Sequence, residues 1–235
     1  MLPSIKVVNV TKKYGNKLAL SDATFEAKGG ELVGVIGPNG AGKTTFIQIA
    51  VRAIRATAGK VEMVVEVPHK LAWVSQNNAI DWYLSVYENV LLGARLGGKS
   101  FNKAEILCLY YIDLLHLSEY KHQQPDTLSG GQLRRLEIAR ALAQEPDIMI
   151  LDEPTTGLDP IAARKVLQEL KLQTQQGKLV ILSCHDMHLL QDYVDRILLF
   201  NKGRIVKDIN ITSITKNLQG YYLQCMEEQR KGEKE

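Results

Sequence analysis

The sequence predicts an α/β protein in which helices flank a mainly parallel sheet, with an N-terminal antiparallel β-subdomain and an inserted α-helical lobe. Three observations support this fold class. Residues 5–36 are rich in β-forming residues, residues from about 85 to 145 show an almost continuous helical pattern, and apolar runs alternate with helical segments after that block. Strands that alternate with helices are typical of parallel sheets, and a helical block inside that alternation indicates a second lobe.

The order of the elements can be followed along the chain. Strands are expected at the segments IKVVNV, LALSDATFEA, ELVGVI, KVEMVVEV and KLAWVS. Helices are expected at SVYENVLLGARL, FNKAEILCLYYIDLLHL and GGQLRRLEIARALAQ. The strand DIMILDEP, a helix over 161–175, the strand KLVILSC and a hairpin of RILLF with RIVKDIN complete the fold. We therefore expect one domain over residues 1–220, with its core at 1–76 and 146–210 and its lobe at about 77–145, followed by a charged, flexible tail over 221–235.

Composition and charge limit the class of protein. Apolar residues make up 45% of the 235 residues and charged residues 23%, which is typical of a soluble globular chain. The net charge of +3 is too small to predict a nucleic-acid partner. The three cysteines, Cys108, Cys184 and Cys225, lack metal-type spacing and are expected to be reduced structural thiols. The most apolar segment, 106–117, is shorter than a membrane span, so no segment is expected to cross a bilayer.

The segment VGVIGPNGAGKTTFIQIA, residues 33–50, contains the first functional motif. An apolar run typical of a buried strand leads into a loop that matches G-x-x-x-x-G-K-[ST], and a helical pattern follows directly. Glycines let successive backbone amides converge on one anion, and the helix N-terminus adds partial positive charge. An ordinary glycine turn is the alternative, but the complete motif in this context predicts a P-loop NTPase core that binds a nucleoside triphosphate. The expected binding residues are Gly37, Pro38, Asn39, Gly40, Ala41, Gly42, Lys43, Thr44 and Thr45.

Charged and hydroxyl side chains in and beyond this loop predict the chemistry. Lys43 is expected to reach the outer phosphates, and Thr44 to offer its hydroxyl group to Mg²⁺. Asp152 and Glu153 follow the buried strand 148–151, and ligands of open α/β sheets bind outside the carboxyl ends of strands. Asp152 is therefore expected to hold Mg²⁺ through its water, and Glu153 to act as a general base. An exposed acidic turn is the alternative.

Residues 128–132 read LSGGQ, which matches the signature of ABC-type ATPases letter for letter. The other motifs of that family stand around it in the usual order, and the chain resembles the family over about residues 5–210. The resemblance implies that Tyr14 stacks on adenine and that Gln76 is the Q-loop glutamine, with catalytic and metal-binding roles. It implies likewise that Asp159 is the D-loop aspartate and His185 the catalytic switch histidine. Surface packing is the alternative for Tyr14, and a structural role at a strand end is the alternative for His185.

The signature has a structural interpretation that is compatible with the functional one. Ser129 and Gln132 form an S-x-x-Q capping box at the start of a helix. The resemblance implies that Ser129, Gly130, Gly131 and Gln132 meet the γ-phosphate of ATP held by a second subunit. Two copies would then close head-to-tail around two ATP molecules. In one departure from the family, the stretch 43–76 is short, so a trimmed β-subdomain is expected.

The resemblance also implies a role in transport. The chain would be an ATP-hydrolysing subunit at the cytoplasmic face of a bacterial inner membrane. Separate transmembrane permease subunits would dock near Ile80, Trp82, Tyr83, Leu84 and Tyr87. The sequence looks most like the ATPases of ABC-2-type exporters, and an importer of metal ions or small solutes is the alternative. A soluble ABC ATPase acting on ribosomes or DNA is less favoured, because the chain has one cassette and neither a heptad run nor a cysteine cluster.

Overall fold

Two β-sheets organise the chain in the computed structural model, which describes residues 2–65, 67, 70–75, 80–215 and 217–232. The strands are β1 (Ser4–Tyr14), β2 (Lys17–Lys28), β3 (Leu32–Ile36), β4 (Ala58–Val64), β5 (Leu71–Val74), β6 (Ile148–Leu151), β7 (Leu179–Ser183), β8 (Arg196–Asn201) and β9 (Arg204–Asn210). The helices are α1 (Lys43–Ala50), α2 (Val86–Leu96), α3 (Phe101–Leu114), α4 (Gly130–Ala143), α5 (Pro160–Gln175), α6 (Met187–Leu190) and α7 (Leu218–Gly232). This order agrees with the predicted α/β fold class.

The antiparallel sheet has the strand order β2-β1-β4. A tight turn that includes Gly15 brings Tyr14 opposite Lys17, so β1 and β2 form a long hairpin. Ile5 and Val7 of β1 are buried, and the residues between and beside them are more exposed. This alternation is typical of a sheet that has one face covered and the other in solvent. The sheet is the N-terminal antiparallel β-subdomain that the sequence predicts.

The larger sheet has the strand order β5-β6-β7-β3-β8-β9. Strands β5, β6, β7, β3 and β8 run parallel to one another. Strand β9 pairs antiparallel with β8, which confirms the predicted hairpin. Strands β3, β6 and β7 are buried along their whole length. Continuous apolar runs are expected in such strands, because both faces of the sheet are covered. Their carboxyl ends meet at one edge of the sheet, where the site lies.

Apolar residues on the two faces of this sheet belong to two core clusters. Leu32 and Ile36 of β3 lie in the cluster that includes the helical lobe, α5 and α7. Val33 and Val35 lie in the cluster shared with the antiparallel sheet and α1. Because neighbouring side chains of a strand point to opposite faces, one short strand contributes to both clusters. The phosphate-loop strand is thereby fixed from both sides.

Helices α2, α3 and α4 form the helical lobe, and they pack against one another. The lobe is not a separate core, since Val90, Cys108 and Leu136 belong to the same buried cluster as one face of the larger sheet. Ser85 begins the lobe with a capping box: its hydroxyl accepts from the Glu88 amide at 3.3 Å, and the Glu88 carboxylate accepts from the Ser85 amide at 2.7 Å. The capping box fixes the start of α2, whereas apolar packing attaches the lobe to the core.

The C-terminal segment corrects a prediction. Residues 221–232, which were expected to belong to a flexible tail over 221–235, instead form part of helix α7 at Leu218–Gly232, and 233–235 lie outside the described residues. Leu218 and Cys225 are buried, and Tyr221 and Tyr222 pack against the core cluster. These residues share one helix face, because they recur at a spacing of about 3.6 residues. Four charged residues of the expected tail, Glu227, Glu228, Arg230 and Lys231, are exposed on that helix.

Among the described residues, no helix is both long and apolar enough to span a membrane. The three cysteines are free and buried.

Candidate nucleotide-binding site

The site lies where β3, β6 and β7 end at the same edge of the larger sheet. The predicted phosphate loop follows β3, Asp152 and Glu153 follow β6, and His185 lies two residues beyond β7. Because β7 lies between β3 and β6, its last residue, Ser183, separates the loop from the acidic pair. The strand order thus brings together groups that are more than one hundred positions apart in the sequence.

The phosphate loop needs its glycines because the backbone is both left-handed and closely packed. Gly37 has φ 149, and a Cβ atom there would lie 2.3 Å from the carbonyl oxygen of Phe200. Gly42 has φ 100, and its Cβ atom would lie 2.7 Å from the carbonyl oxygen of Ala19. Helix α1 begins directly afterwards at Lys43. The amides of a first helical turn lack intrahelical partners, so this geometry presents N–H donors to an anion.

Lys43 places a positive charge inside the loop. Its ammonium group donates to the carbonyl oxygens of Gly37 at 2.8 Å and Pro38 at 3.1 Å. The side chain is buried, and this desolvation lowers the pKa of Lys43, while the carboxylates of Glu153 and Asp152 act in the opposite direction. A phosphate oxygen would favour the charged form that burial disfavours. The buried ammonium group and the free amides at the start of α1 therefore make the loop a suitable binding site for an anion.

A cavity of about 370 Å³ opens above the loop. It is lined by Tyr14, Lys17, Leu18, Ala19, Asn39, Gly40, Ala41, Gly42, Lys43, Thr44, Thr45 and Glu153. Tyr14 is about half exposed, and the Lys12 ammonium group lies 4.9 Å from the centre of its ring. A tyrosine ring at the mouth of a phosphate-binding cavity can stack on a base. The structure thus brings the predicted adenine contact and the predicted phosphate contacts into one space.

Asp152 is held in place by a neighbouring serine. The hydroxyl group of Ser183 donates to Asp152 Oδ1 at 2.5 Å and accepts from the Glu153 amide at 2.8 Å. Asp152 is almost fully buried, with an exposed fraction of 2%. A buried carboxylate requires hydrogen-bond or cation partners, and Ser183 supplies one of them. The predictions did not include Ser183, although a serine at the end of the apolar run LVIL is a signal that could have identified it.

Glu153 and His185 contact each other. His185 Nε2 lies 2.6 Å from Glu153 Oε1, and the Thr156 hydroxyl donates to Glu153 Oε2 at 3.3 Å. Glu153 has φ 53, which is uncommon for a residue with a side chain and is often found at functional sites. The arrangement orients one carboxylate oxygen toward a group that can share or donate a proton. Such a pair could orient and deprotonate a water molecule.

The oxygen atoms at the site are compatible with Mg²⁺. Thr44 and Asp152 offer a hydroxyl and a carboxylate, and Mg²⁺ commonly binds one or two protein oxygens together with substrate phosphates. Within the described residues there is no cluster of three or more His, Cys, Asp or Glu that could hold a metal without such phosphates. Gln76, the other predicted metal ligand, lies outside the described residues.

The signature residues lie at the start of α4 and do not line the cavity, as far as the described residues show. The Ser129 hydroxyl accepts from the Gln132 amide at 3.3 Å, and the Gln132 side chain accepts from the Ser129 amide at 2.7 Å. This is the predicted capping box. Ser129 and Gly130 are exposed, and a Cβ atom on Gly130 would meet nothing within 4 Å. The helix end is open to solvent and to a partner.

Asp159 caps the next helix, α5. Its carboxylate accepts from the amides of Ile161 at 3.0 Å and Ala162 at 2.9 Å, and the hydrogen bond from Ala162 is the main reason that the pKa of Asp159 is lowered. A Cβ atom on Gly131 would lie 2.8 Å from the carbonyl oxygen of Gly157. The segment that contains Asp159 therefore contacts the start of the signature helix within one chain.

The predicted docking segment divides into a buried and an exposed part. Ile80 is 7% exposed and belongs to the core, whereas Trp82 is 45% and Tyr83 90% exposed. Leu84 and Tyr87 are half-buried.

The buried amide of Asn89 holds this exposed turn. It donates to the carbonyl oxygens of Asp81 and Leu84, each at 2.9 Å, and accepts from the Asp81 amide at 3.0 Å. Sequence reasoning missed Asn89, whose only signal is a polar residue on the apolar face of α2. The two exposed aromatic side chains are thus displayed from an ordered turn.

Comparisons with known proteins agree with this geometry. The family described as ABC transporter matches residues 20–156. A protein named phosphonates import ATP-binding protein PhnC, from Wolinella succinogenes, is 38% identical over 227 residues, covering 87% of this chain and 82% of its own. A Nod factor export ATP-binding protein I from Burkholderia orbicola is 35% identical over 208 residues, covering 85% of this chain and 68% of its own.

Solved structures show the same fold. The dimeric structure of a bacterial ABC transporter cassette matches with a TM-score of 0.81 and 30% identity, over 89% of this chain and 100% of that one. A cassette in a post-hydrolysis state bound to ADP and Pi matches with a TM-score of 0.80 and 29% identity, over the same shares. The chain therefore belongs to the ABC transporter family, as one of its ATP-binding subunits with ATPase activity.

Proposed function

We propose that this ATPase energises a membrane transporter by closing head-to-tail with a second ATPase subunit, either an identical copy or a close relative. One observation carries the proposal: the exposed, capped start of α4 lies apart from the cavity that contains the phosphate loop. A capped helix N-terminus is an anion site, yet within one chain it does not line the nucleotide cavity. A two-fold arrangement completes two sites at once. ATP would then hold the subunits together, and its hydrolysis would release them.

In the proposed mechanism, residues of this chain bind ATP, orient the attacking water and accept its proton. Lys43 and the loop amides bind the β- and γ-phosphates, and Tyr14 stacks on adenine. Glu153 accepts a proton from the water that attacks the γ-phosphorus, and His185 orients Glu153 and that water. The bond from the γ-phosphorus to the bridging oxygen breaks, so ADP and inorganic phosphate leave.

The remaining predicted residues complete the site. Thr44, Asp152 and Gln76 would hold Mg²⁺, which supplies charge neutralisation at the phosphates. Ser129 of the second subunit would donate to the γ-phosphate, and Asp159 would lie at the interface between subunits. The proposed role of Ser129 is supported by its exposure, and that of Asp159 by the close approach of Gly157, two residues before it, to Gly131 of the signature helix.

The work of closure would pass to a transmembrane permease subunit on a separate chain. Trp82 and Tyr83 support this step, because exposed aromatic side chains in an ordered turn are typical anchors of protein interfaces. Ile80 is part of the core and would support the turn from below. This assignment places the chain peripherally at the cytoplasmic face of the membrane, which we take to be a bacterial inner membrane.

For direction, we propose export, on the resemblance of the phosphate-loop and TTGLDP segments to ABC-2-type ATPases. The Nod factor export relative at 35% identity supports it. Import of a small solute is the second candidate, favoured by the 38% identity to the phosphonates import protein. Measuring uptake in cells with and without this gene distinguishes import from export. Lost uptake of a labelled alkylphosphonate would support import of that class and contradict export.

Dimer closure can be tested with Glu153→Gln, which should bind ATP yet lose nearly all turnover. Size-exclusion chromatography with ATP and Mg²⁺ should then show a stable dimer. Adding Gly130→Arg should abolish that dimer while each chain still binds ATP, because position 130 is exposed and has open space around it. Wild-type turnover by Glu153→Gln would contradict its role as the base. An ATP-dependent dimer that survives Gly130→Arg would contradict head-to-tail closure.

A further inference from the structure

The peptide group that joins Asp152 to Glu153 is held at both ends. The guanidinium group of Arg134 donates from Nη2 to the carbonyl oxygen of Asp152. The amide of Glu153, on the same peptide, donates to the hydroxyl of Ser183 at 2.8 Å. One of these partners lies on the signature helix α4 and the other at the end of β7. Two different elements therefore fix the orientation of a single peptide plane.

That peptide needs to be held, because Glu153 has a left-handed backbone with φ 53. A residue with a side chain adopts this conformation only at an energetic cost, and it persists where the surroundings enforce it. The direction of the Glu153 carboxylate depends on this backbone conformation. Loss of either hydrogen bond would let the peptide rotate and move the carboxylate away from His185, which it now meets at 2.6 Å.

Further hydrogen bonds hold the Arg134 side chain in this position. It is buried, and its Nη1 donates to the carbonyl oxygen of Ser75 at 2.7 Å and to Glu137 Oε2 at 2.8 Å. Ser75 is the residue directly before Gln76. One guanidinium group thus connects the signature helix with the ends of β5 and β6. The planar fork of arginine permits this, since it presents several N–H donors in fixed directions, whereas the lysine ammonium group is a compact point charge.

We propose that Arg134 is a positioning residue for Glu153, through which the orientation of the signature helix controls the geometry of the catalytic carboxylate in the same chain. Arg134 and Ser129 lie about one and a half turns apart on or at the start of one helix, so they move together. A partner that engages Ser129 would therefore also act on Glu153. The inference rests on the proposed role of Glu153 as the general base.

The test is a double-mutant cycle of Arg134→Lys with Glu153→Gln. Lysine keeps a positive charge beside the buried carboxylate of Glu137 but loses the planar fork. We expect Arg134→Lys to lower kcat by about 10- to 100-fold, as a displaced catalytic group does, with the KM for ATP nearly unchanged. In the Glu153→Gln background, measured under single-turnover conditions, the same substitution should cause no further loss, because the proposed effect of Arg134 on kcat is transmitted through Glu153.

Arg196→Lys serves as the matched control. Arg196 also joins a carbonyl oxygen, that of Glu26 at 2.9 Å, to a carboxylate, that of Asp208 at 2.5 Å, but on β8 and away from the site. It should change thermal stability without the selective loss of kcat. Should Arg134→Lys fail to fold in a thermal melt, Arg134→Gln combined with Glu137→Gln removes both charges of the pair and enters the same cycle.

The outcomes separate this inference from the proposed function. Loss of kcat confined to the background with intact Glu153 supports the inference. Equal losses in both backgrounds, a rise in KM with unchanged kcat, or a kcat like that of Arg196→Lys overturns it and leaves the role of Glu153 intact. Wild-type turnover by Glu153→Gln alone overturns the proposed general base and, with it, this inference.

Discussion

Gly37 and Gly40 offer a matched pair for testing how the phosphate loop is held. Both have positive φ, 149 and 77, and both lie in the same loop. They differ in what surrounds them: a Cβ atom on Gly37 would lie 2.3 Å from the carbonyl oxygen of Phe200, whereas a Cβ atom on Gly40 would meet nothing within 4 Å. Substitution of each by alanine therefore separates backbone strain from steric overlap.

The expected magnitudes follow from these two differences. Gly40→Ala should lower the free energy of unfolding by about 1–2 kcal/mol, because alanine must adopt a conformation near the left-handed region. Gly37→Ala costs about 1–3 kcal/mol in backbone strain and about 1–3 kcal/mol in overpacking. Phe200 cannot move easily, since it is fully buried on β8, a strand paired on both sides, and its ring centre lies 5.1 Å from that of Phe46. The midpoints of these ranges differ by about 2–3 kcal/mol. The entropy that alanine removes from the unfolded chain is common to both variants and cancels.

Urea unfolding of the two variants and the wild type measures this difference as a shift in midpoint at a shared slope. Gly37→Ala should unfold at clearly lower urea than Gly40→Ala. The reasoning would be refuted if the two free energies of unfolding agreed within about 0.5 kcal/mol, which is the usual range for harmless surface changes. Such agreement would mean that the overlap with Phe200 is relieved at no cost.

Three further predictions concern other parts of the chain. Lys43→Ala should weaken ATP binding, because the proposed contact between its ammonium group and phosphate would form before closure. Ser129→Arg should bind ATP nearly as well as the wild type. A titration with a fluorescent ATP analogue measures both, and equal losses would exclude a role for the signature in trans. Burial raises the pKa of Cys108 to about 12, so almost no thiolate is present at this position in the native protein at pH 8. Cys108 should therefore resist a disulfide reagent until the protein is denatured. Rapid modification of the native protein would contradict the buried position. Tyr83→Ala should leave the melting temperature unchanged and reduce copurification with the permease. Ile80→Ala truncates a core side chain and should lower the free energy of unfolding by about 2–5 kcal/mol. A Tyr83→Ala chain that copurifies fully would exclude this docking surface.

Short-range features were determined by the sequence alone. The phosphate loop from Gly37 to Thr44 could be predicted because glycine, lysine and threonine act through local backbone geometry within one strand–loop–helix unit. The capping box of Ser129 and Gln132 could be predicted for the same reason, since both partners lie within one helical turn. The alternation of strands and helices predicted the sheet and its helical lobe, because periodicity reflects which face each element buries.

Only the tertiary structure decided which distant groups meet. The sequence placed Glu153 and His185 after two strands, but their 2.6 Å contact depends on β6 and β7 being neighbours in the sheet. The bonds of Arg134 and Ser183 to the Asp152–Glu153 segment depend on the packing of α4 and on the end of β7, which no spacing in the chain specifies.

Burial was likewise decided by neighbours rather than by residue type. Tyr83 and Ile80 are both large and apolar in one short segment, yet the turn fixed by Asn89 exposes the first, and the core covers the second. Helix α7 shows the reverse case. The charged composition of its C-terminal part suggested a flexible tail, yet Cys225 is buried and Tyr221 and Tyr222 pack against the core. The physical reason is that burial depends on a complementary surface, and such surfaces form only when distant parts of the chain are brought together.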